Sequence, residues 1–292
     1  MLQQTEAPSN KGITRRTLLG AAAAFALTSV RTFAIPATHE QNALEDALRG
    51  VPTAATVLDQ RTDKVLARYG TERTSSPGSI LKPLLLLKAL EQNLVTSETT
   101  VFCRRDLKID GRPYPCTHPQ SNIAFNAQEA LAYSCNTWFA SLALRFPAPM
   151  LLGALRSFHL YPSHAVETPP QRQLLGLGLA GIKTTTQSIA EAYRLLANRS
   201  NQPHARAVAD GLRDSVTFGM AHNADVEGIE ISGKTGTAED LPHETWSHGW
   251  FAGFAAIHGT PLVVSISIAH GSGADAALLA RRFFTACEKT TA

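Results

Sequence analysis

The chain has 292 residues, 44% of them hydrophobic and 17% charged, which is enough apolar material for a buried core and too little charge for a disordered chain. Its formal net charge of +3 hints at an anionic partner, but residues 1–34 carry Lys11, Arg15, Arg16 and Arg31 against Glu6 alone. The other 23 basic and 23 acidic residues cancel, so charge gives no ground for a nucleic-acid partner.

Taken in chain order, residues 1–12 are polar, and Thr14-Arg15-Arg16-Thr17-Leu18-Leu19 leads into an apolar run from Gly20 to Val30. That run is shorter than the roughly 20 residues needed to span a bilayer and fits the apolar region of a signal peptide. A paired arginine just before it predicts a twin-arginine-type signal peptide over 1–34, with Thr32-Phe33-Ala34 as the cleavage region. The expected location is exported, periplasmic or extracytoplasmic, with membrane attachment only if the signal is uncleaved.

Residues 35–49 read as a helix or linker, with Leu44, Ala47 and Leu48 on one face. Alternation predicts a hairpin of Ala54–Leu58 and Val65–Tyr69 around Asp59-Gln60-Arg61-Thr62-Asp63. A helix is predicted over Ser79–Asn93, with Pro83 near its start. Its Leu84-Leu85-Leu86-Leu87 is too short to span a membrane and reads as a buried face. A second helical pattern, Asn126–Leu144, breaks at Ser134-Cys135-Asn136, and a third covers Gln187–Asn198. Ile229–Ser232, Trp250–Ile257 and Leu262–Ala269 read as strands, and Ala274–Glu288 as a closing helix. This order predicts an α/β chain of the α+β type. Its sheet is mainly antiparallel and built from both chain ends, with flanking helices and a helical insert.

Cys103, Cys116, Cys135 and Cys287 are too few for a disulfide scaffold. In an oxidising compartment Cys103 and Cys116, on either side of a hairpin-like Lys108–Pro113 stretch, form a possible disulfide. The same two with His118 make a metal-ligand set that lacks a fourth member, so no metal and no cofactor are assigned.

Three short stretches carry chemistry. In Pro77-Gly78-Ser79-Ile80-Leu81-Lys82-Pro83, Ser79 and Lys82 stand at i and i+3, one helix face apart. A serine hydroxyl needs a base, and a partly buried lysine with a lowered pKa can serve. Ser134-Cys135-Asn136 puts a hydroxyl and an amide into one site only if the chain turns there. Lys234-Thr235-Gly236-Thr237 supplies a cation, two hydroxyls and a glycine against which a ligand can lie. No G-x-x-x-x-G-K precedes Thr235, so this is not a phosphate-binding loop.

In this order the three resemble the S-x-x-K, S-x-N and K-T-G signature of the serine D,D-peptidase and β-lactamase-like superfamily. The chain resembles most closely the transpeptidase domain of penicillin-binding proteins over about residues 50–290. The lead-in Pro77-Gly78-Ser79, the block Ser134-Cys135-Asn136-Thr137-Trp138-Phe139 and the stretch Trp250-Phe251-Ala252-Gly253-Phe254 extend the resemblance. It implies a β-lactamase/transpeptidase-like fold for 50–292. It also implies a serine D,D-transpeptidase or D,D-carboxypeptidase acting on peptidoglycan stem peptides through an acyl-serine, with β-lactams as covalent inhibitors. The implied roles are Ser79 as nucleophile, Lys82 as base and Ser134 as proton relay. Asn136 and Lys234 complete the implied catalytic set, Asn136 hydrogen-bonding the substrate's acyl-side amide and Lys234 supporting the substrate carboxylate and the proton network, and Thr235, Gly236 and Thr237 would bind substrate. Two alternatives stay open: a class A-like β-lactamase and a non-catalytic β-lactam- or peptidoglycan-binding module. The β-lactamase needs a deacylating glutamate. The candidate, Glu167, has Gln171 where that family carries asparagine, and reads as a solvated loop residue.

Overall fold

A computed structural model describes residues 38–239 and 246–289. The leader (1–34) and its cleavage region lie outside them. Helix α1 (His39–Leu48) starts at Thr38, whose hydroxyl accepts the Gln41 N–H. The hairpin of β1 (Thr53–Asp59) and β2 (Val65–Tyr69) follows. Asp59 closes its turn by accepting the Arg61 and Thr62 N–H groups at 2.8 Å, and the Thr62 amide foremost holds its carboxyl below the usual range. A 3-10 turn (Gly78–Leu81) runs into α2 (Lys82–Glu91) with Pro83 in its first turn. Leu84, Leu85, Leu86 and Leu87 are all buried, so this turn of α2 is packed on every side. Each leucine contributes about 2 kcal/mol of transfer free energy.

The insert begins with short strands: β3 (Val101–Cys103), β4 (Lys108–Ile109), β5 (Arg112–Pro113) and β6 (Ile123–Phe125). β3 pairs with β6, and β4 with β5. The β4–β5 turn has positive φ at both Asp110 and Gly111, the mirror-image turn that tight hairpins favour. Helices α3 (Ala127–Ala132) and α4 (Asn136–Arg145) are the two halves of the interrupted pattern. Next come α5 (Ala148–Arg156), α6 (Pro169–Gly176), α7 (Thr186–Arg199) and α8 (Arg206–Thr217). Of these only α7 was predicted; α5 and α6 are short and carry proline in their first turns, and α8 is mostly polar on its outer face.

Strands β7 (Ser232–Ala238), β8 (His248–Ile257) and β9 (Thr260–Ile268) precede α9 (Gly273–Lys289). The predicted strand Ile229–Ser232 ends where β7 begins. β7 is instead the glycine-bearing Ser232–Ala238, because its glycines meet close neighbours that a pattern of apolar residues does not reveal.

The sheet runs β2-β1-β9-β8-β7, every pair antiparallel, with strands from both chain ends as expected. Ala55, Val57, Val264 and Ile266 pack on one face with α1 and α9. On the other face Leu58, Trp250, Ala252 and Val263 join α2, α7 and the insert. β1 and β9 are therefore buried on both faces. α7 is capped by Thr185, whose hydroxyl accepts the Ser188 N–H. The Glu72 carboxylate accepts the Thr186 and Gln187 N–H groups at 3.1 and 3.2 Å. Among the described residues no single helix is long and apolar enough to cross a membrane.

Candidate active site

Ser79 is the second residue of the 3-10 turn and is half-buried. Glycines position its backbone. Gly78 has φ 59°, and a Cβ on it would lie 2.8 Å from the Thr237 carbonyl oxygen. Its N–H donates to Gly178 O at 2.9 Å, and a Cβ on Gly178 would lie 2.2 Å from Gly78 O. On β7, a Cβ at Gly236 would stand 2.5 Å from Pro77 O. Three glycines thus let the serine turn, the edge strand and the loop after α6 meet backbone to backbone. Trp250 Nε1 donates to Ser76 O at 3.0 Å and the Tyr193 hydroxyl to Ile80 O at 2.9 Å, pinning the turn from below. Burial raises the Tyr193 pKa well above its usual value and keeps that donor protonated.

Lys82 is fully buried, and its ammonium is aimed by the second stretch. Nζ donates to Ser134 O at 2.8 Å, Ser134 Oγ at 3.1 Å and Asn136 Oδ1 at 2.8 Å, over the Phe139 ring. Burial lowers its pKa to about 8. The required turn is present: Ser134 has φ 55°, in the left-handed region, between the end of α3 and the start of α4. Asn136 Nδ2 donates to Pro115 O at 3.1 Å, which with the lysine on Oδ1 fixes the amide's orientation.

Lys234 is the second buried lysine, donating to Thr235 O at 2.9 Å. Burial first, and the charge of Lys82 second, push its pKa well below the usual lysine value. One buried ammonium disfavours the other, so the pair favours a single proton-deficient amine. Thr237 is exposed and its hydroxyl accepts the Gly273 N–H at 2.9 Å. Thr235 differs: its hydroxyl donates to Met220 O at 3.2 Å, and its side chain packs on Gly273.

Beside these residues lies a cleft of about 810 Å³, lined in part by Ser76, Tyr114, Asn136, Tyr161 and Thr237. Glu167 is exposed and not among the lining residues. Gln171 does not replace the missing asparagine; its Oε1 accepts the Glu167 and Thr168 N–H groups at 2.9 and 3.0 Å, capping α6.

Behind Ser134 the sulfurs of Cys103 and Cys116 stand 3.6 Å apart as free thiols. A bridge needs about 2.05 Å, so the pair stands unbridged at this spacing. Both share their pocket with His118 and Cys135.

The model of the penicillin-binding protein transpeptidase domain matches residues 53–286. The chain belongs to the penicillin-binding protein transpeptidase family. No curated protein matches it, but solved transpeptidase structures share its fold. The D,D-transpeptidase domain of a peptidoglycan glycosyltransferase from Eggerthella lenta is 20% identical, with TM-score 0.73 over 85% of this chain and 80% of that one. Pseudomonas aeruginosa PBP2, solved in complex with WCK 5153, is 20% identical, with TM-score 0.73 over 85% and 73%. The transpeptidase domain of Burkholderia pseudomallei penicillin-binding protein 3 is 20% identical, with TM-score 0.71 over 85% and 91%. As a penicillin-binding transpeptidase, the protein acts by acyl transfer on peptidoglycan, outside the cytoplasm. Sequence reasoning about this transpeptidase missed Gly178, Tyr193 and Phe139 as supports of the site. Phe139 carried a signal as the last residue of the Ser134–Phe139 block, and Gly178 as one more glycine in a loop.

Proposed function

We propose that Ser79 is the acylated nucleophile of a D,D-acyl transferase cleaving the terminal D-Ala-D-Ala bond of stem peptides. The contact of Lys82 with Ser134 and Asn136 carries this reading, because it joins a base of lowered pKa to a second hydroxyl that can pass on a proton. In the acylation step the Ser79 Oγ–carbonyl bond forms and the peptide C–N bond breaks. The Ser79 proton goes to Lys82, and Ser134 delivers a proton to the leaving D-alanine nitrogen. Water or a second stem amine then takes the acyl group, giving the carboxypeptidase or the transpeptidase outcome. The carboxylate of the leaving D-alanine meets Thr237 and the charge of the buried lysines. Thr235 supports it less, because its hydroxyl donates to Met220.

The proposal extends to the leader: residues 1–34 are a twin-arginine-type signal, 35–49 a helix and linker, and 50–292 the domain that works in the periplasm. Lysine in place of Arg15 and Arg16 should then block export.

Labelled penicillin followed by peptide mass spectrometry tests the nucleophile. One adduct on Ser79, lost in Ser79→Ala, is expected; an adduct elsewhere overturns the assignment. Release of D-alanine from a pentapeptide stem separates an enzyme from a binding module.

A further inference from the structure

One buried cluster has no part in the acyl-transfer chemistry. Cys103 closes β3, Cys116 and His118 lie in the loop between β5 and β6, and Cys135 is the residue before α4. All four are buried, and one ligand atom from each lies within 4.8 Å of the others. The Cys103–Cys116 sulfurs are 3.6 Å apart, the Cys116–Cys135 sulfurs 3.9 Å, and His118 Nε2 is 3.6 Å from Cys103 Sγ. A tetrahedral zinc with bonds of about 2.3 Å to sulfur has ligand–ligand edges of about 3.8 Å. The observed spacings match those edges and are far longer than a disulfide bond.

Other observations agree. His118 is buried edge-on to Phe125, and its Nε2 faces Cys103 Sγ; among the described residues its Nδ1 has no hydrogen-bond partner that would turn the ring away from the sulfurs. Cys103 Sγ–H donates to Thr137 Oγ1 at 3.4 Å, and Cys116 Sγ lies 3.7 Å from the same hydroxyl, which is placed to donate in turn once the sulfurs are metal-bound thiolates.

We propose that Cys103, Cys116, His118 and Cys135 bind one Zn²⁺ ion as a closed tetrahedral site, and that the ion positions the Ser134–Asn136 turn. Three thiolates and an imidazole suit zinc, and four protein ligands leave no open position for catalysis by the metal. The positioning follows from connectivity. Cys135 lies between Ser134 and Asn136, so an ion on its sulfur ties the strained turn to the β3–β6 ribbon. Lys82, which donates to both neighbours of Cys135, is held through them. The positioning half rests on the reading of Ser79 and Lys82; metal binding does not.

The test uses the full chain, purified without chelator or thiol oxidant and supplied with Zn²⁺ alone. Metal analysis should give about one zinc per chain, falling below about a tenth in His118→Ala and Cys116→Ser. His118→Cys, which restores four ligands, should keep zinc, and it guards against an alanine variant that merely misfolds. Folded wild-type protein without zinc, or a Cys103–Cys116 disulfide found by mass in its place, overturns the site. Iron in place of zinc overturns the choice of ion. Removing zinc with a chelator should slow acylation by labelled penicillin at least tenfold, with recovery on adding Zn²⁺. An unchanged rate overturns the positioning role. Zinc bound without any Ser79 adduct refutes the catalytic reading and leaves the metal site standing.

Discussion

Lys82 Nζ donates to Asn136 Oδ1 at 2.8 Å, across 54 residues of sequence. That contact and its companion to Ser134 aim the amine of the first motif with groups of the second.

Lysine at this position should set the pH profile. Its pKa is lowered to about 8 by burial, so the amine is charged below that pH and neutral above it. A base must be neutral to accept a proton, so acylation should rise about tenfold per pH unit up to about 8 and then level off. Stopped-flow labelling with a fluorescent penicillin from pH 5.5 to 9.5 measures this; a flat profile contradicts it. Lys82→Arg, which keeps the charge but cannot give up its proton, should lose acylation at every pH.

Ser134 sits at φ 55°, a strained backbone for a residue with a Cβ. Ser134→Gly relieves that strain and removes the hydroxyl 3.1 Å from Lys82 Nζ. Stability should hold or rise by up to about 1 kcal/mol, while acylation falls about 10²–10⁴-fold. Thermal melting and labelling rates, measured together, check the split. Loss of both would mean that the serine acts through structure alone.

Gly236→Ala places a Cβ 2.5 Å from Pro77 O and forces the edge strand away from the serine turn. The expected loss is about 2 kcal/mol, or about 4–8 °C in Tm, with acylation down at least tenfold. Gly153→Ala makes the contrast: a Cβ there meets nothing within 4 Å, and α5 should gain about 0.5–1 kcal/mol. Equal effects from the two would refute the close-approach account.

Removal of the Glu167 side chain separates the family chemistry from a class A β-lactamase. The residue is exposed and outside the cleft lining, so Glu167→Ala should leave the lifetime of the penicilloyl adduct unchanged within about twofold. An adduct made 100-fold longer-lived would instead mark Glu167 as the deacylating base.

The residues of the proposed site were legible as a set because the chemistry proposed for them demands a fixed spacing. Ser79 and Lys82 need one helical turn, and Ser134 and Asn136 need a break in an otherwise helical pattern. The hairpin at Asp59 and the buried leucines of α2 also follow from local pattern. What stayed hidden depends on long-range approach. The β7 boundary was misplaced because glycines that fit Pro77 O and the Phe251 ring carry no strand signal. The turned hydroxyl of Thr235 depends on Met220 and Gly273, which no spacing relates to it. Cys135 read as a spacer inside S-x-N, so the set of Cys103, Cys116 and His118 lacked its fourth member until the fold joined α4 to β3.

The position of β9 bears on how the molecule is made. It pairs with β1 on one edge and β8 on the other, so the middle of the sheet is the last strand to be synthesised. At about 5–20 residues per second, some 10–40 s separate the emergence of β1 from that of β9. Through that interval the β1–β2 hairpin carries an apolar strand with an open edge, the kind of surface that pairs with other chains. The sheet therefore closes only after β9 has been made, and until then β1 keeps an edge on which another chain can pair.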